Sequence, residues 1–236
     1  MVSAWENLFN LGSGEPVCNL KRYEVVNYCC VSGELELCFG WHSRADELRN
    51  RFKAAIPDFR RKYYQDQHPR ETGDVTVAVN IRRGEVSAVQ NNHMFTGNET
   101  ILRTVRTVKS ILDARGIKYR IDVYSNGDSG EFGEFILLGA GLSCQDDPIW
   151  QIRELIEADI LILAKSSFSY YAALMSDGIK IFEPYLDPLD NWIPRDFDGS
   201  FDCNAFESQL LELMKGKTQT PGGRPADRPI PFRTRL

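Results

Sequence analysis

The chain lacks several features that would settle its class at once. No apolar run approaches the ~20 residues needed to span a bilayer, so no membrane segment is expected. The opening Met1-Val2-Ser3-Ala4-Trp5-Glu6 has neither the basic start nor the apolar core of a secretory leader. A basic excess is also missing: 28 Lys and Arg stand against 33 Asp and Glu, a formal charge of −5. A nucleic acid is therefore not the expected partner, since little is present to neutralise a phosphate polymer. Among the six cysteines (Cys18, Cys29, Cys30, Cys38, Cys144 and Cys203) there is no C-x-x-C pair and no accompanying His pair. That argues against a zinc site and leaves buried thiols or a disulfide framework, with thiols favoured in a chain of this length. Gly127, Gly130 and Gly133 recur at every third position, which is not the G-x-G-x-x-G dinucleotide fingerprint. No convincing D-x-D metal motif and no internal repeat occur, so no metal is expected.

The 236 residues are 42% hydrophobic and 26% charged. That suffices for one sizeable domain, or one domain with an appendage. Residues 1–40 alternate short apolar runs with Gly and polar breaks and read as two or three short strands or extended segments. A helical pattern runs from Ser43, a candidate cap, to about Gln65, with Leu48, Phe52, Ala55 and Ile56 at three- and four-residue steps; Pro57 should break or kink it. A polar linker, His68 to Gly73, leads into the strand at Val75. Strand and helix then alternate. Asn98–Arg115 is a helix with Ile101, Val105, Val108 and Leu112 on one face and Gly116 as its stop. Tyr119–Tyr124 is a strand, Phe132–Leu138 a short helix, Pro148–Glu157 a helix, Ile160–Ala164 a strand and Ile179–Phe182 another. Asn204–Met214 reads as a closing helix, and the Pro-, Gly- and Arg-rich end as a disordered tail. This βαβα order predicts an α/β, Rossmann-like, doubly wound parallel sheet.

Two strand ends carry the chemistry. Val75-Thr76-Val77-Ala78-Val79-Asn80-Ile81 is a β-branched run suited to the middle of a parallel sheet, and it stops at Arg82-Arg83-Gly84-Glu85. Ligands of α/β folds sit at such C-terminal strand ends. Two guanidinium groups there would suit a phosphate or pyrophosphate; the plain alternative is a solvated turn. The run Ile160 to Ala164 likewise stops at Lys165-Ser166-Ser167-Phe168-Ser169, which opens a helix. Serines there cap backbone donors, and the same N-terminus is a ready anion site.

Asn80-Ile81-Arg82-Arg83-Gly84-Glu85 resembles the H-x-R-R-G-D motif of the α1,2-, α1,6- and protein-O-fucosyltransferase superfamily. The stretch from Ala158 to Leu174 is similar to that superfamily's A-D-x-L-x-x-S-x-S-S-F-S motif. Val123-Tyr124-Ser125-Asn126-Gly127-Asp128 resembles its V-Y-S-D strand end. The resemblance covers roughly Val75 to Phe182. It implies the nucleotide-sugar half, the C-terminal half, of a GT-B fold, with GDP-fucose as donor, a glycan hydroxyl as acceptor and no metal requirement. It implies inverting transfer, with Arg82 stabilising the departing diphosphate, Arg83 in support, and Ser166, Ser167 and the Phe168 N–H holding the β-phosphate. The chain departs from the pattern at Asn80, where the family has His, and at Glu85, where it has Asp. Asn80 keeps hydrogen-bonding capacity but cannot carry a proton charge near neutral pH. Glu85 is a candidate base by position.

Asn126 and Asp128 are turn residues first and otherwise a wall of the nucleotide pocket. Asp147, beside Asp146, is either an N-cap or an acceptor for the guanine edge, and Gln151 is its rival. His93 reads as loop surface or a group near the acceptor, and Trp192 as core or lid packing. The expected organisation is 1–70 as a partial acceptor-side region with a connecting helix, 71–215 as the nucleotide-sugar domain, and 216–236 as tail. No G-G-L-G-N-type segment, the usual start of the family's acceptor half, precedes Val75. That leaves a second reading: a truncated or inactive homologue that binds a nucleotide sugar as a binding module. Asn98-Glu99-Thr100 matches a glycosylation sequon, and the compartment stays open between cytoplasm and Golgi lumen.

Overall fold

The computed structural model describes residues 8–9, 45–65, 73–186 and 188–219. Leu8 and Phe9 are helical rather than extended; the rest of the segments expected within residues 1–40, the Ser43 cap, most of the linker and the end beyond residue 219 lie outside the described residues. The first helix, α1, covers Ala45–Gln65 and continues through Pro57 without a break. A proline inside a helix costs roughly 3 kcal/mol. Ile56 and Tyr63, both buried against the sheet, are the compensating contacts.

Six strands follow: β1 (Val75–Ile81), β2 (Tyr119–Ser125), β3 (Gly141–Cys144), β4 (Ile160–Ile162), β5 (Ile179–Phe182) and β6 (Ile193–Pro194). They form one sheet in the order β3-β2-β1-β4-β5-β6. Every pairing is parallel. The helices between them are α2 (Asn98–Ala114), α3 (Gly133–Leu137), α4 (Pro148–Ile156) and α5 (Ser167–Met175), and α6 (Cys203–Gln219) closes the chain's described part. The fold is thus an α/β, Rossmann-like, doubly wound sheet.

Why the helices divide between two faces follows from the strand order. The chain steps outward from β1 to β2 and β3, then returns to β4 and steps the other way. Crossovers of one hand must then place their helices on opposite faces. The side chains agree. Val75, Val77, Val79 and Ile81 pack with α2, Phe135 of α3, and Phe206 and Leu210 of α6. Ala78, Leu161, Leu163 and Phe182 face the other way, against Ile56 and Tyr63 of α1, Ile152 and Leu155 of α4 and Ala172 and Leu174 of α5. The period of two along each strand separates the two cores.

Local signals set the element ends. Gly116 takes φ +63°. The Gly116 N–H donates to the Asp113 carbonyl at 3.0 Å and Ile117 N–H to that of Leu112 at 3.0 Å, which is a Schellman ending for α2. Asp147 caps α4 by accepting from the Ile149 N–H, and Ser166 caps α5 by accepting from that of Phe168. Besides the unbroken α1, three elements differ from the sequence reading. β3, with Leu142 as its one large apolar residue, has no periodic signal. β6 is two residues long. The closing helix runs to Gln219, five residues past Met214, so Lys215 to Gln219 belong to it rather than to a tail.

Candidate functional site

Strand order reverses between β1 and β4, the neighbours whose successors lie on opposite sides. In open α/β sheets the candidate ligand crevice lies outside the carboxyl ends of such strands, where the loops leave in opposite directions. β1 ends at Asn80-Ile81-Arg82 and β4 leads through Leu163-Ala164-Lys165 to Ser166 and Ser167. Val79 is paired with Ile162. That pair is the last of the ladder, and both chains run on from it to the same edge, with neighbouring strands about 4.8 Å apart. The parallel sheet therefore puts Arg82 and Ser167 at one edge. Asn126 and Asp128 follow β2, one place further out. Asp147 and Gln151 follow β3, two places from β1, roughly 10 Å along the edge.

The two arginines have opposite fates. Arg82 keeps 30% of its side chain exposed and pairs with Glu85. Its Nε is buried with no hydrogen-bond partner. Arg83 is turned inward and is 5% exposed. Its Nη1 donates to the Arg82 carbonyl at 2.7 Å, its Nη2 to the Thr96 carbonyl at 3.1 Å and to Asn98 Oδ1, and its Nε lies 3.6 Å from Glu131. Its guanidinium also covers the Phe95 ring at 4.7 Å. Burial pushes both guanidinium groups below the ordinary arginine range, and the Glu131 carboxylate offsets part of this for Arg83. Strand alternation contains the signal. Residues 75, 77, 79 and 81 face α2, so position 83 points toward the start of α2, where Thr96 and Asn98 wait. The dipeptide therefore offers one solvent-facing cation to the crevice, not two.

The loop after β1 is fastened to the loop after β2. Asn126 Oδ1 accepts from the Arg83 N–H at 2.9 Å, while its Nδ2 donates to the Arg83 carbonyl at 2.9 Å. The side-chain amide thus extends the sheet ladder by one rung. Gly84 sits at φ +71°, and a Cβ there would lie 2.6 Å from Asn126 Nδ2. This explains why the turn after the arginines is glycine. Asp128 closes a capping box over the turn Ser129–Phe132, accepting from Gly130 N–H at 2.8 Å while its own N–H donates to Glu131. Asn80 is buried and donates to the Tyr124 carbonyl at 3.3 Å.

On the other side, Ser166 is buried and accepts from the Phe168 N–H at 3.2 Å. The N–H that the resemblance assigns to a phosphate is thus engaged by the cap here. Ser167 is exposed at the first turn of α5. Asp147 is exposed as the α4 cap, and Gln151 is buried one turn on. His93 is exposed in its loop. Trp192 is core: it meets Tyr170 and Phe182 edge-on.

Sequence reasoning does not single out a buried network behind this edge. Glu183, just after β5, accepts from Thr96 Oγ1 at 2.6 Å and pairs with Lys165 at 2.9 Å and Arg195 at 3.3 Å. Burial pushes the Glu183 carboxyl up, but the hydrogen bonds from Thr96 and Lys165 and the charges of Arg195 and Lys165 together hold it below the usual value. No motif announces these residues; the one hint is a charge directly after an apolar strand. Cys144, at the end of β3, is half-buried beside Asp146, and burial raises its thiol to about 11. A hollow of about 520 Å³ lies beside α1, lined by residues such as Lys53, Arg60 and Leu189, and none of the strand-end residues reaches it. Among the described residues, no helix is long and apolar enough to cross a membrane.

No protein-family model matches the chain. No curated protein matches it in sequence. Among solved structures, it is similar to the crystal structure of POFUT1 in complex with GDP-fucose, at 13% identity and a TM-score of 0.28. That likeness covers 59% of this chain and 48% of the other, about half its length. A likeness at this level carries no argument about function.

Proposed function

We propose that the chain is the nucleotide-sugar-binding part of a glycosyltransferase, taking a GDP-sugar of the fucose type as donor and a glycan hydroxyl as acceptor. One observation carries the reading: β1 and β4 are parallel neighbours at the point where strand order reverses, so Arg82, just past β1, and the serine-capped start of α5, which follows β4, leave the sheet at the same edge. A diphosphate seated there would meet a guanidinium on one side and a helix N-terminus on the other, fixed donors aimed at a leaving group. In the transfer, the acceptor oxygen would form a bond to the anomeric carbon. The bond from that carbon to the β-phosphate oxygen would break, and GDP would leave with the electron pair. The hydroxyl proton would pass to a base, for which Glu85 is the candidate.

Titration with GDP, UDP and ADP, with and without a chelator, tests this. GDP should bind most tightly and the chelator should change nothing. Loss of binding with chelator, or a preference for UDP, would count against the reading.

The second reading, a binding module without transfer, has its own support. Glu85 is ion-paired with Arg82, so the candidate base and the candidate phosphate ligand neutralise each other in the free protein. Incubation with GDP-fucose separates the two: release of fucose or its transfer to a glycan supports the enzyme, and binding without turnover supports the module.

A further inference from the structure

One buried group at the edge of the sheet holds two cations against one acid. Arg82 has Glu85 and Arg83 has Glu131. Lys165 and Arg195, however, share one carboxylate, Glu183, in a setting where each of the three side chains is at most 11% exposed. A buried cation without its own counter-charge is costly, and a bound anion is the usual remedy.

The two cations differ in what they can do. Arg195 is wholly enclosed, and its Nε and Nη1 have no hydrogen-bond partner among the described residues. It holds Glu183 through Oε2, which also accepts from Thr96. Lys165 holds the other oxygen, Oε1, and it is the residue next to the Ser166 cap. Its four-carbon stem is flexible and its ammonium is a point charge. If Lys165 swings away, Glu183 keeps Arg195 and Thr96 and stays compensated. If Arg195 moved, it would have to leave a closed core.

We propose that Lys165 is the second cation of the crevice, and that it leaves Glu183 to contact the second phosphate of a nucleoside diphosphate while Arg82 contacts the same group from β1. This rests on the nucleotide-sugar reading above and deepens it. Lys165 then shares with Arg82 the task of distinguishing a diphosphate from a monophosphate. Glu183, Thr96 and Arg195 are its positioning residues.

The ratio of GMP to GDP dissociation constants reads this directly, because a merely structural loss would weaken both ligands alike. The wild type should bind GDP at least tenfold more tightly than GMP. In Lys165→Met the ratio should fall several-fold without reaching one, because Arg82 still contacts the same phosphate, and in Lys165→Arg it should largely persist. As a check that needs no variant, acetylation of Lys165 in the wild type, followed by mass spectrometry, should be slowed by GDP and not by GMP. If the wild type binds GDP but Lys165→Met keeps the full ratio, or GDP leaves Lys165 acetylation unchanged, the assignment of Lys165 is overturned and the donor site stands on Arg82 alone. If the wild type binds neither nucleotide, the nucleotide-sugar reading itself fails, and the role of Lys165 with it.

Discussion

The two sides of the crevice are built from similar polar residues put to opposite uses. On the β1–β2 side, Arg83, Asn126, Asp128 and Glu131 bond to one another and to backbone, and they fix the loops after the strands. On the β4–β5 side, the exposed Ser167 and the start of α5 face outward, while Lys165, Glu183 and Arg195 form a charged layer behind them. One side is a frame and the other presents donors. The difference teaches that residue type alone does not fix a side chain's use: Arg82 and Arg83 are adjacent, and strand alternation leaves one facing solvent and turns the other into the frame.

The comparison can be broken most directly at Arg83. Arg83→Ala should destabilise the fold by roughly 3–5 kcal/mol, because three acceptors lose a charge-assisted donor and Glu131 loses its partner. Arg83→Lys should not rescue it, since an ammonium cannot replace the fork. Urea unfolding measures both, and a stable Arg83→Ala protein that merely loses GDP would reverse the roles assigned to the two arginines.

Arg82→Ala should do the opposite: stability near the wild type, with GDP binding weaker by roughly 1.5–3 kcal/mol. Arg115→Ala is the comparison, since Arg115 pairs with Glu207 at the far end of α2. Calorimetry giving equal losses for the two would remove Arg82 from the crevice.

Gly84→Ala should cost about 1–3 kcal/mol, from a left-handed backbone at a non-glycine residue and from displacement of Asn126. The same urea series checks it; a neutral result would mean that the Asn126 rung is dispensable to the frame.

The smallest effect concerns β5, which buries a second charge. Lys180 donates to the Ser176 carbonyl at 2.7 Å, and burial, with the charge of Arg60, lowers its amine to about 8. A base whose folded value lies below its unfolded one, about 10.4, makes the unfolded state bind more protons between the two. Stability from this group should then rise from about pH 8 to about pH 10.4. Lys180→Met should be more stable than the wild type at pH 7, with the lost hydrogen bond to Ser176 offsetting part of the gain, and should lack that rise. Parallel pH curves for the two proteins would mean that Lys180 finds a solvated path.

Much of the fold was legible. β1, α2, β2, α4 and β5 declare themselves through apolar period, and α2 and α5 also through their end residues, Gly116 and Ser166. β3 and β6 do not, because Gly141-Leu142-Ser143-Cys144 and Ile193-Pro194 are too short and too mixed to show a period. Pro57 misled the reading of α1, since local propensity yields to packing when Ile56 and Tyr63 are buried. At the candidate site, the strand-end placement of Arg82, Ser166 and Ser167 was readable from where apolar runs stop. The inward turn of Arg83 was implicit in alternation. The Glu183 network was not readable, because its members come from three separate strand ends and only the sheet order brings them together.

That order has a kinetic consequence. The rungs joining β1 to β2 close a loop of 44 residues, between Asn80 and Tyr124, whereas the contact of β1 with the start of β4 spans 83, between Thr76 and Asp159. Doubling a loop adds only about 0.6 kcal/mol of closure entropy, yet contacts of greater sequence separation still form more slowly. During refolding, helix and β1–β2 signals should therefore return before any ability to bind a nucleotide. Arg82 and Ser167 share no space until the chain has doubled back, so the crevice exists only in molecules whose sheet is complete through its centre.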